Sequence, residues 1–181
     1  MKTLLTATVA ALLAGAPAAL AQSTNQVAPM LADSKVDTKT FVTTVPNANE
    51  IQSSRLAEEK ASSDDIKAFA REMIADHTKA GEDFKAALSQ GQTTASIKPA
   101  GPALGPKEQQ MLGELKSASG KAFDQKYIKM QTDAHKEAVA LFSTYAKSGD
   151  DPAMKEFAKK TLPTLKMHEK HVKELAVAHQ G

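Results

Sequence analysis

QTTASIKPAGPALG, Gln92 to Gly105, is the stretch on which the architecture turns. Its threonines, alanines, prolines and glycines carry no helical period. Pro106 to Ser117 follows as a short helix with proline in its first turn, so roughly thirty residues join the two halves of the chain. A bundle that runs simply up, down, up and down needs only short turns between its helices. A connection this long can travel the length of a helix instead, which predicts two helical hairpins joined by one crossover.

Each half supplies such a hairpin. In the first, a helix is expected from about Asp37 to Lys60, with Pro46 kinking or restarting it. Ser62-Ser63-Asp64-Asp65 then offers N-cap chemistry for a second helix from Asp64 to Gln90, ending at Gly91. In the second half a helix is predicted from Lys121 to Lys147, stopping at Ser148-Gly149, and Asp150-Asp151-Pro152 starts a last helix to about Ala178 with Pro163 inside it. DDIKAFA (Asp64 to Ala70) and DPAMKEFA (Asp151 to Ala158) form a weak internal repeat at equivalent helix starts. The predicted fold class is all-α: a ferritin-like four-helix bundle of two hairpins, with a short extra helix on the crossover.

The N-terminus MKTLLTATVAALLAGAPAALAQ combines Lys2, an apolar run from Leu4 and the small-x-small site Ala19-Leu20-Ala21, the three parts of a secretory signal. Residues 1–21 are expected to be removed, 22–36 to form a flexible leader, and 37–179 to form the domain. No later segment approaches the roughly 18 consecutive apolar residues of a spanning helix. The expected location is therefore the periplasm, with peripheral association with the outer membrane as a variant. The cleaved chain would carry 22 basic and 21 acidic side chains, a balance that gives no electrostatic reason for nucleic acid or an anionic membrane as partner. With no cysteine there can be no disulfide, thiolate metal site or thiol nucleophile.

The informative side chains are histidines. In the helix from Asp64, Ile66, Ala70, Met73, His77, Ala80 and Phe84 recur at spacings of three and four, with His77 mid-stripe. In the last helix Met154, Ala158, Thr161, Leu165, His168 and Val172 repeat the pattern with His168 inside it. In FDQKYIKMQTDAHKEAVALF, Phe123 to Phe142, the stripe is Phe123, Tyr127, Met130, Ala134, Ala138 and Leu141. That places His135 on its flank, beside Gln131 and Phe142. His171 and His179 fall on the polar face and at the fraying end.

Buried imidazoles need partners. One account has Glu50, Asp76, Asp133, Gln131, Tyr127 and Tyr145 hydrogen-bond them and lock the hairpins together. The other has His77, His135 and His168, with Glu50 or Glu137, converge on a divalent transition metal: zinc, iron or copper. Signatures of known enzymes are missing. His168-Glu169 is followed by His171 rather than by a histidine four residues on, which breaks the zincin pattern. Ile74 and Leu165 stand where Glu-x-x-His of a di-iron bundle needs glutamate. No catalytic residue is assigned.

FVTTVPNANEIQSSRLAEEKASSDDIKAFAREMIADHTKA, FDQKYIKMQTDAHKEAVALF and FAKKTLPTLKMH together resemble a bacterial family of exported ferritin-like bundles, a domain of unknown function whose members are often labelled outer membrane proteins. Its pattern falls on Glu50, Asp76, His77, Phe123, Asp124, Tyr127, His135, Leu162, Pro163 and His168. The resemblance implies a fold and export. The expectation is an exported, non-catalytic bundle of envelope or stress physiology with a mononuclear metal site. Its rival is a purely structural or partner-binding module, in which Gln92 to Gly105 meets another envelope protein.

Overall fold

The computed structural model describes residues 35–45, 48–94, 97 and 104–180. The expected signal and most of the leader lie outside them, as does Pro46. The described residues are all-α with no strand: α1 (Thr38–Thr44), α2 (Ala48–Lys60), α3 (Asp64–Gln90), α4 (Pro106–Ser117), α5 (Gly120–Ser148) and α6 (Pro152–Ala178). Of the two outcomes expected at Pro46, a kink or a restart, the helix bounds give the restart, α1 ending at Thr44 and α2 beginning at Ala48. None of the helices is long and apolar enough to cross a membrane.

Local chemistry accounts for the helix starts. Asp37 caps α1 by accepting from the Thr40 amide at 2.8 Å, and Asp151 caps α6 by accepting from the Met154 amide at 3.0 Å. Pro106 and Pro152 occupy the first turns of α4 and α6, where no amide hydrogen is needed. Gly120 opens α5 at φ +54, in the left-handed region that glycine enters without steric cost. Pro163 stands inside α6, where its nitrogen cannot donate to the preceding turn.

Two apolar cores stack along the bundle. The first gathers Ile66, Phe69 and Met73 of α3, Phe123, Tyr127 and Met130 of α5, and Val172 and Leu175 of α6 around Ala57 and Leu115. Val36, Phe41, Leu141, Phe142, Tyr145, Met154, Phe157 and Leu165 form the second, with Phe84 and Leu88 against it. Both α3 and α5 therefore run from the first core to the second, and α6 runs back. Consecutive helices that point the same way cannot be joined by a tight turn. Ile97 still packs on the second core, and Leu115 of α4 lies in the first. Helix α2 packs on α3 and α5, and α6 packs on α5 and α3. The repeated segments each seed one core, Ile66-Phe69-Ala70 the first and Met154-Phe157-Ala158 the second.

Side chains tie the turns to the opposite hairpin. Asp151 also accepts from the Thr93 amide at 3.0 Å and the Thr93 hydroxyl at 2.9 Å, fixing the start of the crossover against α6. Asp124 accepts from the amide of Ser62 at 3.0 Å and from its hydroxyl, holding the α2–α3 turn on α5. Val36, the last residue of the expected leader, is buried in the second core. There α1 is held by Phe41, stacked on Tyr145 at 4.0 Å between ring centroids, while Thr38 and the Tyr145 hydroxyl lie 2.6 Å apart.

Candidate metal centre

Between the two apolar cores lies a polar layer. Helix α3 crosses it at His77, α5 at Gln131 and His135, and α6 at His168. All three imidazoles are buried, His77 at 7 % exposure and the other two at 1 %. One ligand nitrogen from each lies within 4.8 Å of the others, and the ring centroids are 5.3 to 5.6 Å apart. His135 is thus buried on the flank of the apolar stripe of α5, beside Gln131, and faces the other two histidines. The helix buries a wider arc, Tyr127-Gln131-His135, than the stripe of apolar residues alone predicts.

Hydrogen bonds on the far edges of two rings set their tautomers. His135 Nδ1 lies 2.9 Å from the Gln131 carbonyl oxygen, which can only accept, so Nδ1 carries the proton and Nε2 the lone pair. His168 Nε2 lies 3.0 Å from the Asp76 carboxylate and donates to it, which leaves the lone pair on Nδ1. Both lone-pair nitrogens, His135 Nε2 and His168 Nδ1, are shut off from solvent and have no hydrogen-bond partner. A carbonyl or carboxylate holding one ring nitrogen while the other faces inward is the arrangement that orients metal-bound histidines.

Burial also keeps His77 and His135 neutral. Desolvation, reinforced by His135 and His168, pushes His77 down to about 3. Desolvation lowers His135 to about 4 against the opposing pull of the Gln131 carbonyl. Neutral imidazole is the form that binds a metal, so no proton competes near neutral pH. Three imidazoles this close can hold one divalent ion at bond lengths of about 2.1 Å after small ring adjustments.

The two carboxylates expected beside the histidines are placed differently. Glu137 is exposed on α5 and Glu50 lies on α2; neither joins the converging donors. Glu50 Oε2 is nevertheless buried without a partner, and desolvation raises the carboxyl to about 7. Of the hydrogen-bond partners proposed for the imidazoles, Asp76 and the backbone of Gln131 serve. Tyr127 instead bonds Ser54 at 2.8 Å, Tyr145 pairs with Thr38, and exposed Asp133 pairs with Lys129 at 2.7 Å.

A second donor group abuts the first. Glu72, Asp76 and His168 also present ligand atoms within 4.8 Å of one another, and the two carboxylates are half-buried. His171 Nδ1 lies 3.1 Å from Glu72 Oε2, and His179 Nε2 3.0 Å from Asp65 Oδ2, so the histidines on the polar face and at the C-cap of α6 both reach α3. Glu72 escaped the sequence reading. Its one signal is the four-residue spacing to Asp76, which puts both carboxylates on the same helical face.

No curated protein and no solved structure matches the chain. A family profile matches residues 16–175, through every element that carries the histidines, and the chain belongs to that family, DUF4142, a domain of unknown function.

Proposed function

We propose that the protein is an exported, non-catalytic bundle of ferritin-like topology that holds one divalent transition metal ion at His77, His135 and His168. The topology is supported by the shared direction of α3 and α5 and by the packing of α6 on α3. One observation carries the metal reading. His135 Nε2 and His168 Nδ1 are buried without partners while the opposite edge of each ring is held by a carbonyl or carboxylate. Three imidazole nitrogen donors suit zinc, copper or iron, zinc first because it accepts low-coordinate imidazole sites without a carboxylate. The setting is the periplasm, with peripheral outer-membrane association and a role in envelope or stress physiology.

The test is elemental analysis of the protein purified from periplasm without chelator, beside His135→Ala and His168→Ala. Near-stoichiometric metal in the wild type and loss in both variants supports the site. Metal content unaffected by either substitution would sink it.

A second reading is supported by three histidine–carboxylate pairs that bridge α3 and α6: His168–Asp76, His171–Glu72 and His179–Asp65. In it the histidines only lock the hairpins, and the bundle presents a surface to another envelope protein. Metal-free protein from the periplasm, with variants that lose thermal stability alone, would favour this reading.

A further inference from the structure

We propose that Glu72 and Asp76, with the outer edge of His168, form a cation-capture site that loads the buried triad; this rests on the triad being a metal site. The two donor groups share one residue. His168 belongs both to the buried group with His77 and His135 and to the half-buried group with Glu72 and Asp76. Its Nε2 meets Asp76 on the outer side, and its Nδ1 is buried without a partner on the inner side. Glu72 and Asp76 are 31 % and 36 % exposed at their side chains, so the outer group is open to solvent and the inner one is not.

The two groups differ in charge as well as depth. The inner group offers imidazole nitrogens and no negative charge to attract a hydrated dication. The two carboxylates of the outer group attract it, and they stand where the ion must shed water. Phe69 packs edge-on to both His168 and His171, at 6.3 and 4.9 Å between centroids, and closes the side toward the first apolar core. His171 holds Glu72 by the single contact at 3.1 Å, which an arriving cation displaces.

A neutral imidazole has one proton and one lone pair, so His168 can bind a cation on either edge but not on both at once. With the ion outside, Nε2 ligates it beside Glu72 and Asp76, and the ring proton sits on Nδ1, toward the lone pairs of the triad. With the ion inside, Nδ1 ligates it and the ring proton is on Nε2, in its bond with Asp76. Two dications across one ring also repel each other. The outer group is a transit site, and the protein binds one ion in total.

The experiment is stopped-flow loading of cobalt(II) into the metal-stripped mature protein, followed by visible ligand-field absorption, for wild type, Glu72→Gln and Glu72→Asp. Glu72→Gln should load about tenfold more slowly to the same final spectrum and amplitude, with the difference shrinking as salt screens the carboxylates. Glu72→Asp, which keeps the charge, should load near the wild-type rate. Equal rates for wild type and Glu72→Gln would overturn the capture site while leaving the triad standing. An altered final spectrum in Glu72→Gln would also overturn it, because Glu72 would then ligate the resting ion. A wild type that develops no cobalt spectrum would overturn the triad and the capture site together.

Discussion

His168 donates from Nε2 to Asp76 Oδ2 at 3.0 Å, across from α6 to α3, and this one bond leaves Nδ1 as the lone-pair nitrogen in the buried layer. Asp76 adjoins His77 in sequence, yet it serves the histidine of another helix. Successive residues on a helix point about 100° apart. Asp76→Ala should therefore weaken zinc binding by about 10- to 100-fold without removing a ligand, and His168→Ala should abolish stoichiometric binding. Competition against a chromophoric chelator measures both, and equal affinities for wild type and Asp76→Ala would contradict the orienting role.

The metal-free protein should have a stability optimum near pH 6.5 to 7, set by groups of opposite sign. His77 and His135 fall from 6.5 to about 3 and about 4, whereas Glu50 rises from 4.5 to about 7, each chiefly through burial. Between pH 4.5 and 6.5 the unfolded chain binds two imidazole protons that the fold excludes, and the fold retains one carboxyl proton that the unfolded chain releases. The net is one proton, so stability falls by about 1.4 kcal/mol per unit as the pH drops through that window. Below 4.5 the Glu50 offset ends, but His135 takes up its proton in the fold near pH 4, so the slope stays close to that value until His77 titrates near pH 3. Above 6.5 Glu50 acts alone, and stability declines as it ionises. Glu50→Gln should steepen the limb between pH 4.5 and 6.5, and urea titrations across the range would show it. Superimposed limbs for the two proteins would contradict the burial of that carboxyl.

Helix α1 is held to the end of the bundle by Phe41, which stacks on Tyr145 and meets Phe142 edge-on at 5.0 Å. Phe41→Ala should cost about 3 to 5 kcal/mol. Tyr145→Phe keeps the stacking but removes the hydroxyl beside Thr38, at a cost of about 1 kcal/mol. Chemical denaturation of the two variants separates ring packing from the polar tie. Comparable losses would mean that the stacking contributes little.

Asp151 combines the cap of α6 with both bonds to Thr93. Asp151→Ala should cost about 2 kcal/mol from the cap alone, and more from leaving the Thr93 amide without its acceptor. Gly91→Ala reaches the same junction from the other side, because its Cβ would collide with the Thr94 hydroxyl and come within 3.0 Å of the Asp151 carboxylate. Both variants should speed hydrogen exchange at Thr93 and Thr94. Unchanged exchange there would show that the crossover is held by other contacts.

Much of the bundle was readable in the chain because its information is local. Helical period, caps at Asp151 and the proline starts act over one or two turns, and the predicted bounds of α3, α4 and α6 coincide with the observed ones. The length of the crossover likewise constrained how the hairpins could be arranged, through chain geometry alone. Phase within a helix put His77 and His168 on inward faces, since angle around an axis follows from spacing. It put His135 on the flank of the α5 stripe, beside Gln131, and these two polar residues widen the buried face beyond the apolar ones. Height along the bundle belongs to no single helix. That three histidines from α3, α5 and α6 share one layer, that Asp76 reaches His168, and that Glu50 is half-buried while Glu137 is exposed depend on how far each helix slides against its neighbours. That register is set by the packing of the two apolar cores above and below the layer, so the helices were legible in the sequence and the site was decided by the tertiary structure.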